Sequence, residues 1–370
     1  MATQLLMKDG LGKVAVGRIS LALLAAGADF PEKAFNKDAL APLADLELKE
    51  RVHHIIGVMG QHLPDSFPEA ASILGRIRDH WEESEDKLAT FAAWPVIDYV
   101  ATYGLDHPRI ALPLLRYLTP MFSAEFSIRP FLEKHTEETY AEMLLWCLDA
   151  DEHVRRLASE GIRPRLPWGK QLPQYIDDPA PVIALLESLK DDPSDYVRRS
   201  VANNLNDISK DHPDLVIETC QRWSAEKVAA RQWIIRHATR TLVKAGHRKV
   251  FPLLGFTRSP KLDVSPPDLV CSALTLGETL RISTQITSTS TVKQYCVIDY
   301  AIHYMKANGK TSPKVFKWKN LRLKPGESVT LEKSHAFRPI TTRRHYAGTH
   351  KIEILVNGRR AAHTSFQLQP

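Results

Sequence analysis

The amino-acid sequence predicts a mainly α-helical protein, an α-solenoid built of helix pairs, followed by a smaller all-β sandwich. Three observations support this fold class. Apolar residues recur at helical spacing through the first two thirds of the chain, a Val-Arg-Arg motif returns at a nearly constant interval, and apolar and polar residues alternate near the end. We predict a solenoid over residues 1–255, a linker over 256–267 and a sandwich over 268–370.

The opening residues contain helical patterns separated by prolines, with no strand pattern. We predict helices at Lys13–Ala26, Ala34–Leu40, Glu47–His62 and Ala70–Glu83, with the sequence PDSFPEA breaking the chain before the last of them. This part of the chain is therefore expected to begin the helical stack.

The Val-Arg-Arg motif indicates repeats. Val154-Arg155-Arg156 returns as Val197-Arg198-Arg199 and, more loosely, as Ile235-Arg236-His237, at steps of 43 and 38 residues. These periods are typical of HEAT-type helix pairs. The repeated arginines would then line one surface, where they either bind phosphates or form structural ion pairs with an Asp of the next turn.

The first of these motifs opens a helix that must end soon. Val154, Leu157, Ala158 and Gly161 form one apolar stripe, and Pro164 disfavours helical geometry just beyond it. We expect the remaining polar residues of this helix to lie off the stripe, namely Arg155, Arg156 and Glu160. A stiff basic loop follows, in which prolines alternate with Arg163, Arg165, Trp168 and Lys170.

The strand-rich end carries the positive charge. Residues 266–370 contain 16 Lys and Arg against 6 Asp and Glu, whereas the whole chain has a net charge of only +6. Alternating patterns separated by short turns predict a sandwich of immunoglobulin or fibronectin type, although the Cys-Trp-Cys spacing of antibody domains is absent. The charge asymmetry indicates a polyanionic partner, with a solvated basic face as the alternative.

Cysteine usage and hydropathy indicate a cytoplasmic protein. The four cysteines show neither C-x-x-C pairing nor metal-ligand spacing, so we expect free thiols, with a Cys271–Cys296 disulfide as the alternative. The apolar run ISLALLAAGA, which starts at Ile19, is too short to cross a bilayer. We predict no membrane association and no signal peptide.

The string RLASEGIRPRLPWG, with its RR-x-x-x-E-G helix end, resembles the AlkC branch of the HEAT-like-repeat DNA glycosylases of alkylation repair. The resemblance covers the whole chain, including the strand-rich end. It implies a glycosylase of base excision repair that acts on double-stranded DNA containing alkylated bases. No lysine stands out as a Schiff-base nucleophile, so we expect a monofunctional enzyme, and we expect a monomer. It further implies excision of 3-methyladenine and 3-methylcytosine, with 1-methyladenine as a further candidate, and no cofactor.

Three carboxylates are the predicted catalytic residues: Glu160, Asp207 and Glu125. Alkylation at a ring nitrogen makes the base cationic and hence a good leaving group, and carboxylates would stabilise the sugar cation that forms and orient water. Each acid could instead be a helix-surface partner of an arginine. A second possibility places catalysis at Trp94 and Asp98, which have the Trp-x-x-x-Asp spacing of a related branch, although Trp94 could simply pack against the next helix.

Twelve residues are predicted to contact DNA. They are Arg155, Arg156, Arg163, Arg165, Trp168, Gly169, Lys170, Arg198, Arg199, Arg236, Arg240 and Phe126. Phe126 and Trp168 would meet the lesion or the abasic sugar, unless the Trp168 indole is part of the core. No metal ligands are predicted.

Known catalytic motifs are otherwise absent. The sequence lacks a P-loop, a G-x-S-x-G elbow, an H-E-x-x-H pair and a dinucleotide fingerprint. The alternatives to a glycosylase are a non-catalytic HEAT-repeat adaptor and an architectural DNA-binding protein.

Overall fold

The computed structural model describes residues 6–81, 88–340 and 344–369. Contacts divide the chain into two compact units, Met1–Asp211 and His212–Pro370. The predicted fold class is confirmed, since helices fill the described part of the first unit and a β-sandwich dominates the second.

Twelve α-helices lie in the described part of the first unit. They are α1 (Lys13–Ala25), α2 (Glu32–Leu40), α3 (Leu48–His62), α4 (Phe67–Leu74), α5 (Trp94–Tyr103), α6 (Pro108–Leu118), α7 (Ile128–Lys134), α8 (Thr136–Trp146), α9 (Glu152–Gly161), α10 (Pro173–Asp177), α11 (Ala180–Leu189) and α12 (Asp195–Ile208). Short 3₁₀ turns occupy Met7–Leu11, Leu43–Asp45, Ile77–His80 and Ala89–Ala93.

The first three predicted helices are confirmed, but the fourth was misplaced. Helix α4 starts at Phe67, inside the predicted break, because Pro68 lies in its first turn, where the missing backbone N–H is not needed. It ends at Leu74, far short of Glu83, which lies outside the described residues.

The repeated motif corresponds to two equivalent helix starts. Asp151 caps α9 by accepting a hydrogen bond from the His153 N–H at 2.8 Å, and Ser194 caps α12 by accepting one from the Tyr196 N–H at 3.2 Å. A side-chain oxygen at this position satisfies a backbone donor that the helix leaves unpaired. The two caps therefore set the same register for Val154 and Val197.

Helix α9 ends at Gly161, as predicted, and this glycine permits close packing. A Cβ at position 161 would lie 2.5 Å from Cγ2 of Ile128, at the start of α7. The absence of a side chain thus allows the end of α9 to approach α7 and sets the origin of the following loop.

Arg129 on α7 holds that loop, residues 162–172. Its side chain is buried and donates from Nε to the Lys170 carbonyl at 2.6 Å, and from Nη1 to the Gly161 and Arg163 carbonyls at 2.8 and 2.9 Å. Burial lowers the pKa of Arg129 to about 10, so the guanidinium is still charged at neutral pH. One buried residue therefore fixes both ends of the basic loop.

The second unit contains four helices and nine strands among its described residues. The helices are α13 (Pro213–Ser224), α14 (Ala229–Ala238), α15 (Arg240–Lys244) and α16 (Val250–Leu253). The strands are β1 (Leu262–Val264), β2 (Asp268–Leu269), β3 (Ala273–Thr275), β4 (Thr279–Ser288), β5 (Gln294–Met305), β6 (Thr311–Leu323), β7 (Ser328–Ala336), β8 (Gly348–Val356) and β9 (Arg359–Gln369).

The strands form two sheets that enclose the core of the sandwich. One sheet has the order β1-β4-β2, with β7 also paired to β4, and the other has the order β3-β9-β8-β5-β6. All pairs are antiparallel except β3 with β9. The core includes Ile282, Ile352 and Phe366, which alternate with less buried residues as the period of two predicts, and Ile298 on β5, a strand that is buried almost throughout.

The structure places α13–α16 with the sandwich by contacts, whereas the sequence pattern groups them with the solenoid. Strand β1 lies inside the segment predicted to be a linker and pairs with β4. The solenoid boundary at residue 255 stays a prediction.

The four cysteines are free thiols, so the alternative Cys271–Cys296 disulfide is not formed. Among the described residues, no helix has both the length and the apolar character needed to cross a bilayer.

We predict that Arg129→Met lowers the free energy of unfolding by about 3 kcal/mol or more, because three carbonyls lose their buried donor. Urea denaturation measures the change. Arg109→Met is the matched control, since Arg109 is 93% exposed and lies 3.9 Å from Glu138, a surface pair of little expected weight. Equal effects in the two variants would contradict the role assigned to Arg129.

A second prediction concerns Asp299 on β5. Burial raises the pKa of this carboxyl to about 6. The folded state therefore favours the protonated form, and the stability contributed by Asp299 falls as the pH rises from about 4 to about 6. Asp299→Asn stays neutral, so we expect it to gain stability over the parent by on the order of 3 kcal/mol at pH 7 and little at pH 4. Thermal denaturation at both pH values tests this, and an equal difference at each would contradict it.

Candidate active site

The three predicted catalytic acids lie together and are held by two arginines. Arg163 donates to Glu160 Oε1 at 2.5 Å and to Asp207 Oδ2 at 2.8 Å, while Arg156 donates to Glu125 Oε2 at 2.8 Å. Arg156 also lies 3.6 Å from Glu160 Oε1. We call these five residues the carboxylate cluster.

Glu160 lies outside the apolar stripe of α9 but is nevertheless buried, because it faces α12. Its side chain is only 7% exposed. Helices α9 and α12 pack against each other, and Ser200 on α12 donates to Glu160 Oε2 at 2.5 Å. The apolar stripe was defined by apolar residues alone. It therefore could not show the burial of an acid whose hydrogen-bonding partners are themselves buried.

The charges of the cluster nearly cancel, and two of its members are partly accessible to solvent. Three carboxylates face two guanidinium groups, and Lys210, 41% exposed, donates to Asp207 Oδ1 at 2.8 Å from the outside. Burial lowers the pKa of Arg163, but the charges of Glu160 and Asp207 outweigh this effect and raise it above its usual value. Glu125 and Arg156 are the more accessible members, at 16% exposure each.

A cleft of about 200 Å³ lies beside the cluster and is lined by aromatic rings. Trp94 stacks on Phe126 with ring centroids 5.4 Å apart and planes inclined by 26°. Trp168 and Asp98 complete this aromatic cleft, together with Lys49, His53, Arg129 and Lys170. It therefore combines flat apolar faces with one acid and several bases.

Asp98 is fixed at this cleft by two hydrogen bonds. The Trp94 indole donates to Oδ2 at 2.7 Å, and the Ser127 hydroxyl donates to Oδ1. Burial raises the pKa of Asp98, although these hydrogen bonds and the charges of His53 and Lys49 act in the opposite direction. Among the described residues, no cationic side chain forms an ion pair with Asp98, whereas Glu160 and Asp207 both pair with Arg163.

The segment from Ser123 to Ser127 connects the two groups. The Ser123 hydroxyl accepts from Arg156 at 2.9 Å, and Glu125 belongs to the carboxylate cluster. Phe126 lines the aromatic cleft, and Ser127 bonds Asp98. Five consecutive residues thus place two acidic groups next to one another.

Trp168 is presented to solvent and is not a core indole. Its side chain is 58% exposed, and its backbone has a φ of +65°, a conformation that is uncommon for a residue with a side chain. Lys49 stabilises it by donating to the Trp168 carbonyl at 2.6 Å. The neighbouring Gly169 lines the cleft, and Lys170, 73% exposed, pairs with Glu133 at 2.8 Å.

Several predicted phosphate-binding arginines have partners inside the first unit. Arg155 forms two hydrogen bonds with Asp192, at 2.6 and 3.1 Å, and is 13% exposed. Arg165 binds Asp211 through two hydrogen bonds at 2.8 and 2.9 Å, and Arg198 pairs with Asp195. Arg199 is exposed.

Arg236 and Arg240 belong to the second unit. Arg236, on α14, is exposed, while Arg240, at the start of α15, donates to the His237 carbonyl at 2.6 Å.

Sequence reasoning missed Lys49, His53, Ser127, Arg129 and Ser200. Lys49 and His53 come from α3, more than 70 residues before Trp168, and no local pattern marks them. Ser200 did carry a signal, since it occupies the position that Leu157 holds in the preceding repeat. A polar residue at an apolar repeat position suggests a buried polar partner.

Within the described residues, no group of three or more His, Cys, Asp or Glu side chains is arranged to hold a metal ion.

Comparisons with known proteins agree with this architecture. A family model described as DNA alkylation repair enzyme matches residues 122–242, and a model of the C-terminal Ig-like domain of the uncharacterised protein YhaZ matches residues 263–370. YhaZ of Bacillus subtilis strain 168 is 38% identical over 326 residues, which cover 88% of each chain.

A solved structure matches along almost the whole chain. The alkylpurine DNA glycosylase AlkC of Pseudomonas fluorescens, bound to DNA containing an abasic site analogue, superposes with a TM-score of 0.91 and 35% identity, covering 98% of this chain and 99% of that one. The chain therefore belongs to the AlkC-type family of HEAT-like-repeat DNA alkylation repair proteins, in the form that carries a C-terminal Ig-like domain.

Proposed function

We propose that this protein is a monofunctional DNA glycosylase that excises cationic N-alkylated bases from double-stranded DNA. 3-Methyladenine and 3-methylcytosine are the proposed lesions, with 1-methyladenine as a further candidate. The observation that carries the proposal is the carboxylate cluster, in which Glu125, Glu160 and Asp207 alternate with Arg156 and Arg163. The activity of the Pseudomonas AlkC supports it.

This mixture of charges suits a nucleotide whose glycosidic bond is breaking. An alkylated ring nitrogen gives the base a positive charge, so it departs without a general acid, and the sugar becomes cationic. Preorganised carboxylates stabilise that charge without reorganising during the reaction. Phosphates on either side of the sugar remain anionic, so the pairing of Arg156 with Glu125 also limits the repulsion between that acid and the phosphates.

Arg163 has a positioning role in this proposal. Its hydrogen bonds with Glu160 and Asp207 fix the two carboxylates and leave the guanidinium only 7% exposed. If Arg163 left its buried carboxylates to bind a phosphate, those carboxylates would lose their charge partner, which costs several kcal/mol. We therefore infer that Arg163 and Arg155 orient acids, while the exposed Arg199, Arg236 and Lys170 contact phosphates directly.

The aromatic cleft would receive the flat part of the damaged nucleotide. The Trp168 ring is exposed, and Phe126 is stacked on Trp94, so both offer a face to a cationic base or to the abasic sugar. Attraction between a cation and such a face is worth roughly 0.5 to 2 kcal/mol. This geometry allows lesion contact at the surface of the helical unit.

Asp98 is the competing candidate for the catalytic carboxylate. It lies in the cleft itself and is oriented by Trp94 and Ser127. Burial raises the pKa of Asp98, whereas Arg156 and Arg163 hold the acids of the carboxylate cluster in ion pairs. We therefore assign the main role to Glu125, Glu160 and Asp207.

We predict that Glu160→Gln slows base release by about 10²- to 10³-fold while retaining DNA binding, because it removes one charge that faces the sugar cation. Chromatography of bases released from methylated duplex DNA measures the rate. Glu138→Gln is the matched control, since Glu138 is exposed. Denaturation curves of both variants separate lost chemistry from lost folding.

No release by the folded parent protein from any of the three lesions would overturn the proposed activity. Binding of undamaged DNA that weakens steeply with salt would then favour an architectural protein, and salt-insensitive binding of one protein partner would favour an adaptor.

We further predict that Asp98→Asn retains most of the parent's rate of base release. The amide keeps the shape of the side chain and an oxygen that can accept from Trp94 or Ser127. The measurement is the same chromatographic assay, run beside Glu160→Gln. A loss in Asp98→Asn as large as that in Glu160→Gln would move the catalytic role to Asp98.

A further inference from the structure

A cleft in the second unit gathers four arginines. It has a volume of about 180 Å³, and its walls include Arg248, Arg258, Arg359 and Arg360. None of the described residues that line it is acidic. We call it the arginine cleft, and it shares no lining residue with the carboxylate cluster or the aromatic cleft.

A close backbone contact builds this cleft. Gly246, between α15 and α16, meets Gly358, in the turn between β8 and β9, and a Cβ on Gly358 would lie 2.1 Å from the Gly246 Cα. Both glycines have a φ near +70°, which residues with side chains rarely adopt. The contact brings Arg248 beside the turn that carries Arg359 and Arg360.

A buried asparagine in the β8–β9 turn also shapes the arginine cleft. Asn357 accepts from the Val297 N–H at 2.8 Å and donates to the Thr257 carbonyl at 2.8 Å. These two bonds tie the β8–β9 turn to β5 and to the residue that precedes Arg258. The shape of the arginine cleft therefore depends on fixed backbone contacts and not on flexible side chains alone.

These arginines differ from those of the carboxylate cluster in lacking partners. Among the described residues, Arg248, Arg258 and Arg359 form no ion pair with a carboxylate, and all three are exposed. Arg360 lies 3.6 Å from Glu353, which also pairs with Lys351 at 2.6 Å and with His303 at 3.0 Å. The positive charge of the cleft is thus largely uncompensated.

We propose that the arginine cleft binds a phosphate group. Guanidinium groups bind phosphate oxygens through paired hydrogen bonds, and several guanidinium groups around one recess suit a phosphate, whose oxygens can accept several such bonds at once. The phosphate belongs either to a nucleic-acid backbone or to a free phosphorylated small molecule. The inference does not require the proposed glycosylase activity, because it concerns undamaged phosphate.

The test uses the full chain with Arg258→Gln and Arg359→Gln combined, and as its matched control Lys306→Gln combined with Lys310→Gln. The control removes the same charge from the β5–β6 turn, where Lys306 and Lys310 are exposed. Affinity for an undamaged DNA duplex is measured by fluorescence anisotropy over a range of NaCl concentrations. Titration calorimetry with inorganic phosphate forms the second arm.

For a nucleic-acid phosphate we expect the cleft variant to bind DNA on the order of ten-fold or more weakly and to lower the slope of log Kd against log salt by about 2, with little change in the control. For a free phosphate we expect saturable binding of inorganic phosphate that the variant loses, with DNA affinity unchanged. Either result supports the site and identifies its source.

The proposal is overturned if the cleft variant matches the parent in both arms, or if the control loses as much DNA affinity as the cleft variant. Equal melting temperatures for parent, variant and control exclude misfolding. An Arg258→Lys and Arg359→Lys variant, which keeps the charge, should retain the salt slope but not the full affinity. Base release plays no part in these readouts, so they stand or fall independently of the proposed glycosylase activity.

Discussion

Arg129 is the residue on which both halves of the candidate active site depend. Its buried guanidinium binds the carbonyls of Gly161, Arg163 and Lys170, and so fixes the loop that supplies Arg163 to the carboxylate cluster and Trp168 to the aromatic cleft. A loop with two prolines and several cations has few contacts of its own. Charge-assisted hydrogen bonds to backbone carbonyls give it a defined shape without occupying any of its side chains. The side chains then remain available for carboxylates and for ligand.

The carboxylate cluster illustrates how a site can be preorganised by opposite charges. Removing Glu160, Asp207 and Arg163 from water is unfavourable, and their mutual attraction and hydrogen bonds offset that cost only while all of them are present. The carboxylates of Glu160 and Asp207 are therefore held in fixed positions by Arg163. In the proposed reaction, acids held in this way would stabilise the sugar cation better than freely moving surface acids.

Arginine side chains have different surroundings in the carboxylate cluster and in the arginine cleft. In the first unit, Arg155, Arg156, Arg163 and Arg165 are all paired with carboxylates, so their main contribution is to connect helices and orient acids. In the second unit, Arg248, Arg258 and Arg359 share a cleft without acids. Each of these arginines contributes equally to the net charge. Those of the carboxylate cluster are neutralised by acids, whereas those of the arginine cleft are available to an anion.

The sequence by itself determined the succession of helices and strands, because a period near 3.6 or of 2 depends only on which face of a local element is buried. It also determined the end of α9 near Gly161 and the equivalent positions of Val154 and Val197 in two successive repeats. Only the tertiary structure decided that Glu160 is buried, that Trp168 is exposed, and that Lys49 and Arg129 hold the loop between them. It also decided which arginines are paired. These contacts join residues that lie about 30 to 120 positions apart. A local pattern carries no information on which distant side chain fills a given space, since that depends on how whole helices pack.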